Sequence, residues 1–577
     1  MSKPMSLLPR AACQALFLAA LGAVPAAVAQ SVAPAETVLH LFGSSRADGI
    51  APVAAAIQGS DGAYYGTTLD GGDPAGGGTV YRLSQDGVLT TLHAFDNRSG
   101  SSDGFNPRGA LVEGADGRYY GSTEEGGAGG RGTVFSVSAT GVYQIVHSFD
   151  GSLGAFPRAG LVRLGDALYG VAASGGPANN GTVFRIAANG TGTLLHGFVG
   201  SDGAAPSAAL VTGSDGALYG TTLGSATGDG TVFRITPAGA LTVLHRFTSD
   251  PVNGYHGPGG NGVVERNGLL FGSTPGDAGF TPSLNTAGSL YQLLPGAGPD
   301  AAAITLHRFS GADGAQPTGL VSGQDGLLYG STRNGGESGI GTLFRIAPAG
   351  TGFERLHQFP TGRQAEDGAR PNPLSVDRDG TLIGTSFAST VPRTLRGEDP
   401  RNGQGAVFAL YPRVPAVSVT VTPAVAAAGQ QVSLSWTADA AASDCQASGA
   451  WRGARAASGV AVVEAGRPGE AVYTLRCSNP AGEGSGSATL SVAAPPVIAL
   501  SARPAITNDR NPSTVLAWTA AGASECTASG AWSGPRPLSS SQSVTPALRG
   551  ANRYTLSCTG IGGSSSESVT VFRSGTP

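Results

Sequence analysis

At 577 residues the chain is too long for one hydrophobic core, and its 92 glycines and 37 prolines approach the share that marks disorder in aperiodic sequences. Charged residues make up only 13% and the formal net charge is −4, which excludes the basic footprint of a nucleic-acid binder. Lys3 is the only lysine.

That lysine belongs to the amino end. MSKPMSLLPR is positively charged, AACQALFLAALGAVPAAVA is apolar, and Ala27-Val28-Ala29 fits the small-x-small cleavage pattern, so residues 1–29 read as a secretory signal peptide. A retained membrane anchor is the competing reading, disfavoured because the apolar run is short and ends in an alanine-rich cleavage pattern. No later segment is long and apolar enough to span a bilayer, so no membrane span is expected after cleavage. Cys13 lies in the leader, and no lipoprotein cysteine follows the apolar run. The chain ends TVFRSGTP without an apolar tail, so free secretion or periplasmic residence is expected, with surface association the alternative.

From residue 31 three landmarks recur in fixed order. An aromatic-glycine step follows an Asp-Gly type turn at Tyr65, Tyr120, Tyr169, Tyr219, Phe271, Tyr329 and, degenerate, Ile383. A GTVF-like element begins at Gly78, Gly132, Gly181, Gly230, Gly288, Gly341 and Gly405. A Leu/Val-His-x-aromatic element places His40, His93, His147, His196, His245, His307 and His357, seven of the eight histidines. Each copy of about 50 residues holds four β-like runs, in the fourth copy 207–213, 216–222, 230–236 and 240–247, separated by turn signals. The runs are apolar on both faces, so each small sheet must be covered on both sides, as in a β-propeller. A solenoid is the competing architecture. The order of landmarks decides: the first histidine element precedes any aromatic-glycine step, and the last copy ends at GAVFALY without one. The expected fold is therefore all-β, with a seven-bladed propeller over 31–413 closed by its N-terminal strand.

The repeated LYGTT, GTVFRI and LHxF sets resemble the GloVer tandem repeat of secreted "choice-of-anchor" bacterial proteins. The resemblance implies an exported location and names no activity.

After the linker YPRVPA, QQVSLSWTADAAASDCQASGAW and STVLAWTAAGASECTASGAW align, as do VYTLRCSNPAG and RYTLSCTGIGG. Segments 414–493 and 495–573 read as two Ig-like sandwiches, each with a Trp (Trp436, Trp518). The pairs Cys445, Cys477 and Cys526, Cys558 share one spacing and read as intradomain disulfides of an exported protein. The Trp and Tyr spacings differ from the antibody pattern, so different strands should be joined. A metal site is the weaker reading, because no histidine follows His357. Both modules read as spacers.

The histidine series invites a metal reading, but ligation needs side chains within a few ångströms and these sit on separate rim strands. Asp48, Asp103, Asp202, Asp313 and Asp367 each follow a histidine in a DGxxP turn, so a structural His–Asp hydrogen bond is expected instead. Gly100-Ser101-Ser102-Asp103-Gly104 matches a nucleophile elbow only by letter, being a turn. Gly127–Gly132 matches GxGxxG but leads into a strand, and Asp377-Arg378-Asp379-Gly380 reads as a hairpin turn rather than a calcium loop. No catalytic residue, metal or cofactor is expected. Loops between fourth and first strands, and between second and third, leave one face; 248–262, 273–287 and 385–404 are the longest. Candidate binding residues there are Tyr255, His256, Phe280, Arg393, Arg396, Glu398, Asp399 and Arg401. The expected function is a monomeric, non-enzymatic exported binding protein whose partner is a glycan, a cell-envelope component or a protein. A polysaccharide hydrolase or lyase is the rival, disfavoured by the small first-strand residues (AAAI, RGALV, RAGLV, SAALV, TGLV), and a purely structural surface protein is the third reading.

Overall fold

The computed structural model describes residues 34–575 apart from short stretches, the longest being 249–256, 277–286, 360–368 and 389–404. The described residues are all-β; their one helical turn is a short 3-10 segment, Arg46–Asp48. The signal-peptide reading of 1–29 lies outside the described residues.

Residues 35–411 build seven small antiparallel sheets of four or five strands. Six are continuous in sequence; sheet one holds Ile57–Gln58, Tyr64–Thr68, Thr79–Leu83 and Leu89–Ala94. Sheet seven is composite. Leu382–Ala388 pairs with Ala406–Tyr411, whose other edge takes Ala35–Leu41 in antiparallel register, Ala35 opposite Tyr411 and Leu41 opposite Ala406.

The same defect marks the outer strand of every sheet. His93 lies opposite Val80 and Thr91 opposite Tyr81, so Leu92 is extra, a β-bulge that bends the strand. The register shift recurs before His147, His196, His245, His307 and His357, and before His40 in the composite sheet. Beyond the bulge, each His ring meets edge-on a Phe two residues later. That Phe crosses to the third strand of the next sheet: Phe95 to Phe135, Phe149 to Phe184, Phe198 to Phe233, Phe247 to Tyr291, Phe309 to Phe344 and Phe359 to Phe408. Phe42 of the composite sheet meets Tyr81 of sheet one in the same way, at 5.2 Å and 64°. Edge-to-face pairs of this kind add about 0.5–1.5 kcal/mol each beyond their buried area.

The aromatic-glycine step follows from this packing. A Cβ on Gly220 would overlap the Phe233 ring, and one on Gly384 the Phe408 ring, so only glycine lets the third-strand aromatic lie flat across the second strand. Hydroxyls stitch the sheets nearby. Ser122 Oγ donates to Ala159 O at 2.9 Å, Ser331 Oγ to Asn372 O at 2.7 Å, and Thr385 Oγ1 of sheet seven to Ala54 O beside sheet one at 2.9 Å. One buried cluster joins Phe42, Ile383, Val407 and Ala409 to Ala56, Tyr64 and Tyr81, so sheets seven and one share a core as the other neighbours do. The first strands are the least regular elements, most only two to four residues long: Gly109 and the Ala159–Gly160 backbone approach too closely for a Cβ, and such small residues give little side-chain packing to hold a ladder.

After residue 416 the chain forms two modules, each with a three-stranded and a five-stranded sheet around its own core. Cys445–Cys477 and Cys526–Cys558 each bridge directly opposed residues of paired strands within one sheet. Trp436 packs edge-on to Trp451 at 5.0 Å and Trp518 to Trp532 at 5.2 Å, and every indole N–H donates to a backbone carbonyl.

Candidate functional site

Strand alternation sends the second-to-third and fourth-to-first connections out of one end of each sheet and the two short Asp-Gly type turns out of the other. At the short-turn end the side chains hold one another. Asp61 Oδ2 accepts from Tyr65 Oη at 2.9 Å and Arg82 at 2.7 Å, and Asp215 accepts likewise from Tyr219 and Arg234. Burial pushes the Asp61 carboxyl up, but the bonds from Arg82 and Tyr65 outweigh it and leave it below the usual range. Asp377 Oδ1 accepts from the N–H groups of Asp379 and Thr381, the pattern of a closed turn, and Tyr64 Oη donates to its other oxygen at 3.2 Å. Burial raises the Asp377 pKa.

The long-connection end is built differently. At the start of the first strand of six sheets, or just before it, an X-Pro step holds X at left-handed φ though X is not glycine: Ala51 (58°), Asn106 (57°), Phe156 (58°), Ala205 (53°), Gln316 (56°) and Arg370 (55°). This region is costly for a bulky residue such as Phe156, and the surroundings must enforce it. They do: Asn106 N donates to Gly77 O, Phe156 N to Arg131 O, Ala205 N to Asn180 O, Gln316 N to Ala287 O and Arg370 N to Ile340 O, all at 2.8–2.9 Å and all reaching the preceding sheet. A fixed backbone thus presents different side chains in each copy.

One group of these side chains carries charge. Glu124, just after the second strand of sheet two, has a side chain only 7% exposed, and Arg108 and Arg158, each directly after its X-Pro step, converge on it from consecutive sheets. Arg158 Nε donates to Oε1 at 2.7 Å and Arg108 Nε donates to Oε2. The two guanidinium side chains stay 41% and 46% exposed. Arg333 and Arg370, also exposed, stand at this end in sheets six and seven.

The histidines sit on seven separate outer strands. His93 Nε2 lies 2.9 Å from Asp103 Oδ2, His196 2.7 Å from Asp202 and His307 2.9 Å from Asp313, and these carboxylates also accept N–H groups of the turn after the Phe. Burial works against ionisation of Asp103 and Asp313, yet the histidine bonds leave both carboxyls below their ordinary values. His40 corrects the expected Asp48 bond: its Nε2 is buried without a hydrogen-bond partner among the described residues, while Asp48 accepts from Ser45 N and Oγ and acts on His40 through its charge. The 3-10 turn, found in no other copy among the described residues, turns the Asp48 carboxylate to its own cap. Burial lowers the His40 and His147 pKa values. His245 and His357 lie at the equivalent positions; Asp367 lies outside the described residues. Among the described residues no three His, Cys, Asp or Glu side chains converge as a metal set.

Tyr255, His256, Phe280, Arg393, Arg396, Glu398, Asp399 and Arg401 all lie outside the described residues. Sequence reasoning missed Arg108, Glu124, Arg158 and Phe156. The available signal was positional: the proline of the X-Pro step is followed by Arg in copies two and three, where other copies carry PV, PS, PT or PN. A shallow cavity of about 820 Å³ on the last module, lined by Leu500, Trp518, serines and Glu567, brings no second acid beside that carboxylate.

Like sheets, one bulged outer strand per sheet and sheet-to-sheet stitching define an all-β tandem-repeat protein. The chain belongs to the Gloeobacter/Verrucomicrobia repeat family, whose model matches residues 30–176, 163–298 and 277–439. No curated protein matches it. Among solved structures it is similar to a protein of unknown function from Dyadobacter fermentans DSM 18053 (12% identity, 66% of this chain, 98% of that one, TM-score 0.37). It is also similar to a protein described as a 6-phosphogluconolactonase from Bacteroides uniformis ATCC 8492 (17%, 54% and 85%, TM-score 0.36). Scores this low carry no argument about activity.

Proposed function

We propose that the chain is an exported, non-enzymatic binding protein. In this reading the seven sheets are the blades of a β-propeller over 31–413 that its N-terminal strand closes, and 414–493 and 495–573 are Ig-like spacers behind a signal peptide at 1–29. The long-connection end contacts a glycan or another cell-envelope component, and the molecule acts as a monomer. One observation carries the reading: six X-Pro steps hold strained, fixed backbone while the residues they display vary from copy to copy. The two disulfides favour an oxidising compartment. Purified protein on a glycan array, beside an assay for release of reducing sugar ends, tests it. Binding without turnover is expected, and sugar release would transfer the reading to a hydrolase or lyase.

A further inference from the structure

Resting on that reading, we propose that Arg108 and Arg158 receive the oxyanion of an acidic glycan, either a uronate carboxylate or a sulfate ester. Each guanidinium is held through Nε alone: Glu124 accepts one Nε on each carboxylate oxygen, and neither arginine makes another hydrogen bond to a described residue. Their terminal nitrogens keep four N–H donors on each side chain, in the planar fork that suits bidentate oxyanion contact. Glu124 cannot serve a ligand itself, being almost wholly buried; it fixes the direction of both forks and neutralises one of the two guanidinium charges, while the neighbouring Glu125 carboxylate accepts from Asn106 Nδ2 at 3.3 Å. This differs from an ordinary surface ion pair, in which one cation and one anion satisfy each other and are worth little. Phe156, two residues before Arg158 and held at φ 58° by its bond to Arg131 O, adds a partly exposed ring at the same end, where a sugar face can lie. The exposed Arg333 and Arg370 add positive charge at this end in a chain whose net charge is −4.

Titration calorimetry of the full chain with oligogalacturonate, dextran sulfate, neutral dextran and polyglutamate tests the proposal, with melting curves for every variant. The variants are the triple Arg108→Gln, Glu124→Gln, Arg158→Gln, which keeps side-chain size and amide hydrogen bonding, and the double Arg108→Lys, Arg158→Lys, which keeps Glu124 paired but removes the forks. Oligogalacturonate or dextran sulfate should bind, the stronger of the two naming the oxyanion, and binding should weaken as salt is added. The triple variant should lose at least about tenfold in affinity and the double several-fold, at unchanged melting temperature. Equal binding of neutral dextran, or acidic-glycan binding that neither folded variant alters, would overturn the arginine assignment and leave the glycan reading standing. Polyglutamate binding without glycan binding, or no binding of any probe, would overturn both.

Discussion

The repeat region and the two C-terminal modules hold distant strands together by opposite means. Around the repeats the join is noncovalent and reiterated: a bulge, a histidine and a Phe that crosses to the next sheet, seven times over, so no single contact decides. In each module the join is one disulfide between opposed residues of the same sheet, backed by a pair of tryptophans. The difference shows where continuity of chain matters. A repeat position can be filled from either end of the sequence, as Ala35–Leu41 does, whereas a module of about 80 residues cross-links its own strands.

Replacing the crossing aromatics should do most to break this contrast. Phe198→Ala removes a fully buried ring and should cost about 3–5 kcal/mol in the repeat transition. Phe42→Ala should cost the same, because the Phe42–Tyr81 contact matches the other six; a much smaller loss, read by denaturant titration, would mean the composite sheet is not held like its neighbours. Reducing both disulfides should lower each module by roughly 3–4 kcal/mol, from the loop-closure entropy of residues 32 apart, while the repeat transition in the same calorimetric scan stays in place.

Smaller effects separate the regions by glycine and by pH. Gly220→Ala drives a methyl into the Phe233 ring and should cost about 1–3 kcal/mol, whereas Gly466→Ala meets no atom within 4 Å and should stay within about 0.5 kcal/mol. The acid response should also belong to the repeats. His40 and His147 have folded pKa values below 6.5, so the unfolded chain takes up protons first and repeat stability falls as pH drops from about 6.5 through those lower values. His147→Gln should flatten that slope in melting curves from pH 7 to 5. The modules contain no histidine and should show no such slope. Asp377 has the opposite sign: its raised pKa makes stability fall as pH rises from the ordinary carboxyl value near 3.8 to the folded one.

Much of this was legible because it repeats. An early histidine strand and a last copy lacking one announced the Ala35–Leu41 pairing before any register was known. Paired cysteines at equal spacing announced the disulfides, but not the second buried tryptophan of each module, Trp451 and Trp532, whose role depends on the edge-on contact. The bulge was invisible because a register shift leaves no residue signature; Leu92 looks like any apolar strand residue. Asp48 shows how a local competitor defeats a pattern, since Ser45 three residues upstream takes both its oxygens. Of the Arg108, Glu124 and Arg158 group only the repeated Pro-Arg step was visible in the linear sequence; that both arginines meet Glu124 was not, because the members come from two sheets and read alone as surface charges.

Truncation tests the central claim most directly: a chain starting after Leu41 and the chain starting at Gln30, compared by calorimetry and by proteolysis of the repeat region. The account predicts that the shorter chain loses the cooperative repeat transition, is cleaved readily between 43 and 411, and regains protection when a peptide spanning residues 30–42 is supplied. An unaltered repeat transition in the shorter chain would contradict it.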